Sequence, residues 1–210
     1  MGRIKICGLF REQDIDFVNQ AGPDYIGFVF APSPRQVSAA RAKALRAGLA
    51  EGIVPVGVFV NAEIGDIVSL WGAGVIQAVQ LHGGENQAYI KALKQRCALP
   101  VIKAVRGGGP APRLEAGDVE AGADYLLFDS GKGGSGAAFD WSALAALKAE
   151  IKAPWFLAGG ITADNIAEAL SLGPYCVDVS SGAETGGVKD RNKIRRLVRL
   201  ARQTPAPAEK

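Results

Sequence analysis

The feature that most constrains this chain is a succession of eight short apolar runs, at residues 4–7, 25–30, 54–59, 75–81, 101–105, 125–128, 155–158 and 176–180. Most are apolar on successive positions, which is how a strand covered on both faces reads. After each comes a segment with helical spacing, at 12–20, 38–47, 62–70, 86–97, 113–121, 141–148, 163–172 and 190–203. Asn61 and Thr162 precede the third and seventh of these as cap candidates, and Gly173 follows the last apolar residue of the seventh. Eight strand–helix pairs over residues 1–203 predict an α/β chain folded as a single-domain (β/α)8 TIM barrel, with a frayed tail at 204–210. An open doubly wound sheet is the alternative. Its usual phosphate fingerprint is missing, because Cys7-Gly8-Leu9-Phe10 contains no G-x-G-x-x-G.

Composition removes several classes of function. A net charge of +3 argues for neither nucleic acid nor membrane as a partner. The basic residues near the end, from Lys189 to Arg202, interleave with Ile194, Leu197, Val198 and Ala201, as expected of an amphipathic helix with a solvated basic face. No apolar stretch reaches the roughly 18 residues of a membrane span, and no signal peptide is recognisable, so the expected location is cytoplasmic. Three scattered cysteines, Cys7, Cys97 and Cys176, fit a reducing compartment, the latter two as packing residues. The single histidine, His82, rules out a His-rich metal site.

Two strands far apart in sequence each end on a group able to exchange protons. Ile4-Lys5-Ile6-Cys7-Gly8 delivers a thiol, and Leu127-Phe128-Asp129-Ser130, followed by Gly133-Gly134-Ser135-Gly136, delivers a carboxyl. In a parallel barrel the carboxyl ends of the strands share one face, so both groups would flank one small substrate. Cys7 is either a small buried hydrophobe or a base or nucleophile with a lowered pKa. Asp129 either caps its glycine-rich loop or acts as an acid kept protonated by partial burial. Ala158-Gly159-Gly160-Ile161-Thr162 and Val179-Ser180-Ser181-Gly182 follow the last two strands, where barrels often present amides to a phosphate. Arg35, in Ser33-Pro34-Arg35, is either an exposed loop charge or a bidentate clamp on a carboxylate. Gln80 and His82 end the fourth strand as hydrogen-bonding lining residues, and Asp178, inside the eighth, requires a polar partner if buried.

Taken together, Lys5-Ile6-Cys7-Gly8, Ser33-Pro34-Arg35, Val79-Gln80-Leu81-His82-Gly83, Phe128-Asp129, Leu157-Ala158-Gly159-Gly160-Ile161, Val177-Asp178-Val179-Ser180-Ser181-Gly182-Ala183-Glu184 and Gly187-Val188-Lys189-Asp190 resemble the phosphoribosylanthranilate isomerases of tryptophan biosynthesis. They occur in that family's order over nearly the whole chain. The resemblance implies an Amadori rearrangement of N-(5-phosphoribosyl)anthranilate to 1-(2-carboxyphenylamino)-1-deoxyribulose 5-phosphate without cofactor or metal, by a monomer or homodimer. It implies Cys7 as general base and Asp129 as general acid. Arg35 would meet the anthranilate carboxylate, and Gly159, Gly160, Ser180, Ser181 and Gly182 the phosphate. Two positions depart from the pattern. Phe10 stands where the family has threonine, and Thr185-Gly186 replaces a proline-containing segment, which predicts a looser loop. A histidine-pathway isomerase, a metal-dependent pentose-phosphate epimerase and a non-catalytic phosphate-binding barrel are the competing readings.

Overall fold

The structure, a computed structural model, describes residues 1–105, 122–129, 144 and 151–204. The helices expected at 113–121 and 141–148, the glycine block 133–136 and the tail beyond 204 lie outside the described residues, apart from Leu144, which is buried.

Eight parallel strands close into a barrel: β1 (Ile4–Cys7), β2 (Tyr25–Val29), β3 (Val54–Phe59), β4 (Ala78–Leu81), β5 (Val101–Val105), β6 (Tyr125–Phe128), β7 (Trp155–Leu157) and β8 (Cys176–Val179). Pairing of β8 with β1, in the register Lys5↔Asp178, closes the ring and excludes the open sheet. Six helices are described: α1 (Glu12–Ala21), α2 (Ala39–Ala47), α3 (Ile64–Gly72), α4 (Gln87–Lys94), α5 (Ile166–Ser171) and α6 (Arg191–Gln203). The last buries Ile194, Leu197, Val198 and Ala201, the stripe its periodicity predicts. Among the described residues no helix is long and apolar enough to cross a membrane.

Alternation along each strand divides the side chains into two layers. Ile4, Ile6, Ile26, Phe28, Val79, Leu81, Val177 and Val179 point outward into the layer shared with the helices. Val56, Ala78, Ile102, Leu127, Phe156 and Cys176 point inward, with Tyr25, Tyr125 and Tyr175 packed against them. The aromatic rings plug the amino-terminal end: Tyr25 and Tyr125 meet Phe156 edge-on, both at 5.5 Å between centroids. Continuous apolar runs and an alternating interior are therefore compatible, because both faces of each strand are covered.

Several boundaries moved. The run at 75–81 becomes strand only from Ala78. Asn61 does not cap α3. It adopts a left-handed φ of 50° and accepts from the Gly84 amide instead, which ties two loops together. Helix α5 begins at Ile166, three residues beyond the segment expected after Thr162, because the Asn165 side chain folds back to the Thr162 amide and the Gly160 carbonyl and holds that stretch as a turn.

Candidate active site

All the site residues singled out in the sequence line one cavity of about 390 Å³ at the carboxyl ends of the strands: Cys7, Arg35, Gln80, His82, Asp129, Gly159, Gly160, Asp178, Ser180, Ser181 and Gly182. A larger cavity of about 530 Å³ lies beside α2 and α3, and none of these residues lines it. The inward alternation of β1 that carries Cys7 also carries Lys5, and that of β8 carries Cys176, Asp178 and Ser180. The candidate groups thus sit toward the final inward positions of the strands, above packing residues on β4 and β8 and above the buried Lys5 on β1.

Lys5 is the residue that sequence reasoning missed. It is fully buried, and its ammonium crosses the lumen, donating to Asp178 Oδ2 at 2.7 Å and to Gln80 Oε1 at 2.8 Å. A lysine inside a strand covered on both faces was the available signal, since such a charge must have a buried partner. Burial pushes the Lys5 ammonium toward the neutral form, but its interactions with Asp178 and Cys7 together outweigh that and raise its pKa, so Lys5 stays charged. Asp178 Oδ1 is buried and has no hydrogen-bond partner among the described residues.

The network continues to the carboxyl on β6. With Gln80 Oε1 occupied by Lys5, the Gln80 amide nitrogen faces His82 Nδ1 at 2.9 Å. That nitrogen of His82 must accept, so the proton of the neutral ring lies on Nε2, 3.5 Å from Asp129 Oδ2. Burial lowers the His82 pKa, with the Asp129 charge opposing, so the ring is neutral near pH 7.

Cys7 is 9 % exposed. Gly27 faces it across the β1–β2 ladder, and a Cβ there would lie 2.6 Å from Cys7 Sγ, so the thiol occupies the space a side chain would take. Of the two alternatives for the thiol, a lowered pKa is not the one found. Burial raises it, and the nearby Lys5 and Lys189 ammonium groups only partly offset that. The thiol is therefore the dominant form in the free protein at neutral pH.

The two glycine-rich loops touch. A Cβ on Gly182 would fall 1.9 Å from the Ile161 carbonyl oxygen, so only glycine permits this approach. Gly159 and Gly160 both have left-handed φ, at 90° and 66°. The single turn Ser181–Ala183 begins at this contact and leaves its first amides without intrahelical partners. Across the cavity, Arg35 is a clamp, and the carboxylate it holds is that of Glu184: Nε to Oε1 at 2.6 Å and Nη2 to Oε2 at 2.7 Å. The segment Thr185-Gly186, expected to be loose, is part of a hairpin: Thr185 ends β9 (Glu184–Thr185), and Gly186 and Gly187, at φ 61° and 79°, turn the chain into β10 (Val188–Lys189). Among the described residues no group of three or more His, Cys, Asp or Glu side chains could hold a metal ion.

Comparison with known proteins points one way. Residues 4–200 match the family described as N-(5'phosphoribosyl)anthranilate (PRA) isomerase. An N-(5'-phosphoribosyl)anthranilate isomerase of Endomicrobium trichonymphae is 49 % identical over 207 residues, covering 96 % of this chain and 99 % of the relative. The crystal structure of a phosphoribosyl anthranilate isomerase from Thermus thermophilus superposes with a TM-score of 0.83 at 35 % identity, covering 94 % of this chain and 97 % of that one. A further solved structure, 32 % identical with a TM-score of 0.79 and covering 96 % of this chain and 99 % of that one, holds reduced 1-(o-carboxyphenylamino)-1-deoxyribulose 5-phosphate.

Proposed function

The chain belongs to the N-(5'-phosphoribosyl)anthranilate isomerase family, and from that premise we propose how its own residues divide the work. The enzyme converts N-(5-phosphoribosyl)anthranilate to 1-(2-carboxyphenylamino)-1-deoxyribulose 5-phosphate, the isomerase step of tryptophan biosynthesis. The assignment of roles rests on the placement of Cys7, at the end of β1, and Asp129, just past the end of β6, on the wall of one cavity.

Ring opening requires a proton on the furanose oxygen as its bond to C1 breaks; Asp129 supplies it and an iminium forms. The iminium acidifies the C2 proton, which Cys7 removes as thiolate, and the enolamine then collapses to the ketone. A thiolate paired with a carboxylic acid holds as many protons as a thiol paired with a carboxylate. The reactive form is therefore reached by moving a proton within the site, even though burial favours the thiol. His82, neutral and with its proton toward Asp129, orients the acid and does not compete as a base. Asp178, on the cavity wall, meets the ribose portion of the substrate, and the Lys5 ammonium holds its carboxylate in place. Gly159, Gly160, Ser180, Ser181 and Gly182 receive the phosphate, and the unoccupied edge of Arg35 meets the anthranilate carboxylate.

The test is turnover of phosphoribosylanthranilate, followed by loss of anthranilate fluorescence. Cys7→Ser and Asp129→Asn each lower kcat by about 10²–10⁴-fold with little change in KM. Arg35→Ala acts chiefly on KM. Near-normal kcat in both of the first two variants overturns the acid–base pair.

A further inference from the structure

Arg35 presents only part of its guanidinium to the cavity. Its Nε and Nη2 are both engaged by Glu184, while Nη1 has no hydrogen-bond partner among the described residues. Glu184 is 7 % exposed and is itself fixed on several sides. Its Oε1 also takes the buried Lys189 ammonium, which sits opposite it in the β9–β10 hairpin. Lys189 donates in addition to the Ser180 carbonyl at 3.0 Å, and the Glu184 carbonyl accepts from Lys193 on α6. Burial pushes the Glu184 carboxyl up, but the hydrogen bonds from Arg35 and Lys189 prevail, so it is held below its usual range and stays ionised. Two cations around one carboxylate leave one positive charge on this wall, and it is matched by a single carboxylate on the substrate. Gly8 clears the path of the arginine stem, since a Cβ there would lie 2.5 Å from Arg35 Cδ.

We propose that Glu184 is a positioning residue that turns the free edge of Arg35 toward the substrate carboxylate. The proposal rests on the reading that Arg35 meets the anthranilate carboxylate. A guanidinium on a flexible stem has two usable edges. Occupying one with a fixed carboxylate removes its rotational freedom and leaves the other at a defined angle. Without Glu184, the arginine would lose that preorganisation before any substrate arrives.

The experiment measures binding of two stable probes, reduced 1-(2-carboxyphenylamino)-1-deoxyribulose 5-phosphate and its counterpart lacking the ring carboxylate. They are titrated calorimetrically against wild type, Arg35→Ala, Glu184→Gln, Glu184→Asp and the Arg35→Ala/Glu184→Gln double variant. Glu184→Asp keeps the charge beside Lys189 while shortening its reach to Arg35, so a failure of Glu184→Gln to fold leaves the test intact. Expected are an about 10- to 100-fold weakening for the carboxylated probe in the Glu184 variants, no change for the other probe, and a double variant no weaker than Arg35→Ala. Equal weakening of both probes makes Glu184 merely structural and overturns the proposal, as does unchanged binding of the carboxylated probe or additivity in the double variant. If Arg35→Ala itself leaves the preference for the carboxylated probe intact, the underlying reading of Arg35 falls and the proposal falls with it.

Discussion

The two ends of the barrel interior lie in one ring of strands and differ in almost every physical respect. At the amino-terminal end Tyr25, Tyr125, Tyr175 and Phe156 pack edge-on and tilted into an aromatic plug, with a hydrogen bond between the Tyr25 and Tyr175 hydroxyls at 3.0 Å. Toward the carboxyl end, inward positions of β1, β4 and β8 carry Lys5, Gln80 and Asp178 in a buried ionic network, with Cys7 beside it. The first arrangement lowers free energy by removing apolar area from water. The second removes charge from water and recovers the cost only through close partners. The comparison teaches that stability and chemistry are separated along the strand direction, a few residues apart, in one continuous core.

That separation can be broken deliberately. The largest effect is expected from Lys5→Met, which leaves Asp178 buried without its counter-charge. It should cost about 3–5 kcal/mol in urea unfolding and also depress turnover. The double variant Lys5→Met/Asp178→Leu should recover much of the stability and none of the activity. Recovery of both would show that the network is only structural. At the opposite end, Phe156→Ala should cost about 3–5 kcal/mol by opening a cavity, while kcat per folded molecule stays near wild type. A comparable loss of kcat would erase the division between the two ends.

Smaller effects sharpen it. Gly182→Ala forces Ile161 away from its contact and displaces the loop proposed to receive the phosphate, so kcat/KM should fall by about 10²-fold and unfolding free energy by about 1–3 kcal/mol. The gentlest probe is iodoacetamide labelling of Cys7 in the free enzyme, mapped by mass spectrometry. Because burial raises the thiol above its ordinary value of 9.0, labelling should still be climbing with pH at that value. A plateau reached below it would show that Lys5 and Lys189 win over burial.

Most of the fold was legible because a parallel barrel repeats one simple unit, an apolar run and then an amphipathic segment, and each unit declares itself locally. Boundaries were less legible where side chains act on neighbouring loops: Asn61 and Asn165 spend their polar atoms on turns rather than on helix starts. In the candidate site, residues at strand ends were readable from position, since the barrel gathers those ends on one face. The competing histidine-pathway reading, already disfavoured by Cys7 standing where that reaction uses a carboxylate, was set aside by family membership.

The sequence by itself determined the eight-unit alternation, the covered faces of the strands, and the placing of a thiol and a carboxyl at the ends of two of them. Only the tertiary structure decided the partners. That Lys5 pairs with Asp178 depends on the register in which β8 closes onto β1, and that Glu184 holds Arg35 depends on a contact spanning 149 residues of chain. Hydrophobic pattern is a property of neighbours in sequence, whereas the energy of a buried charge is fixed by what lies within a few ångströms in space. The direction of the Cys7 pKa belongs to the second kind. Position alone left a buried thiol and a lowered-pKa base both open, and the burial found in the folded chain raises it.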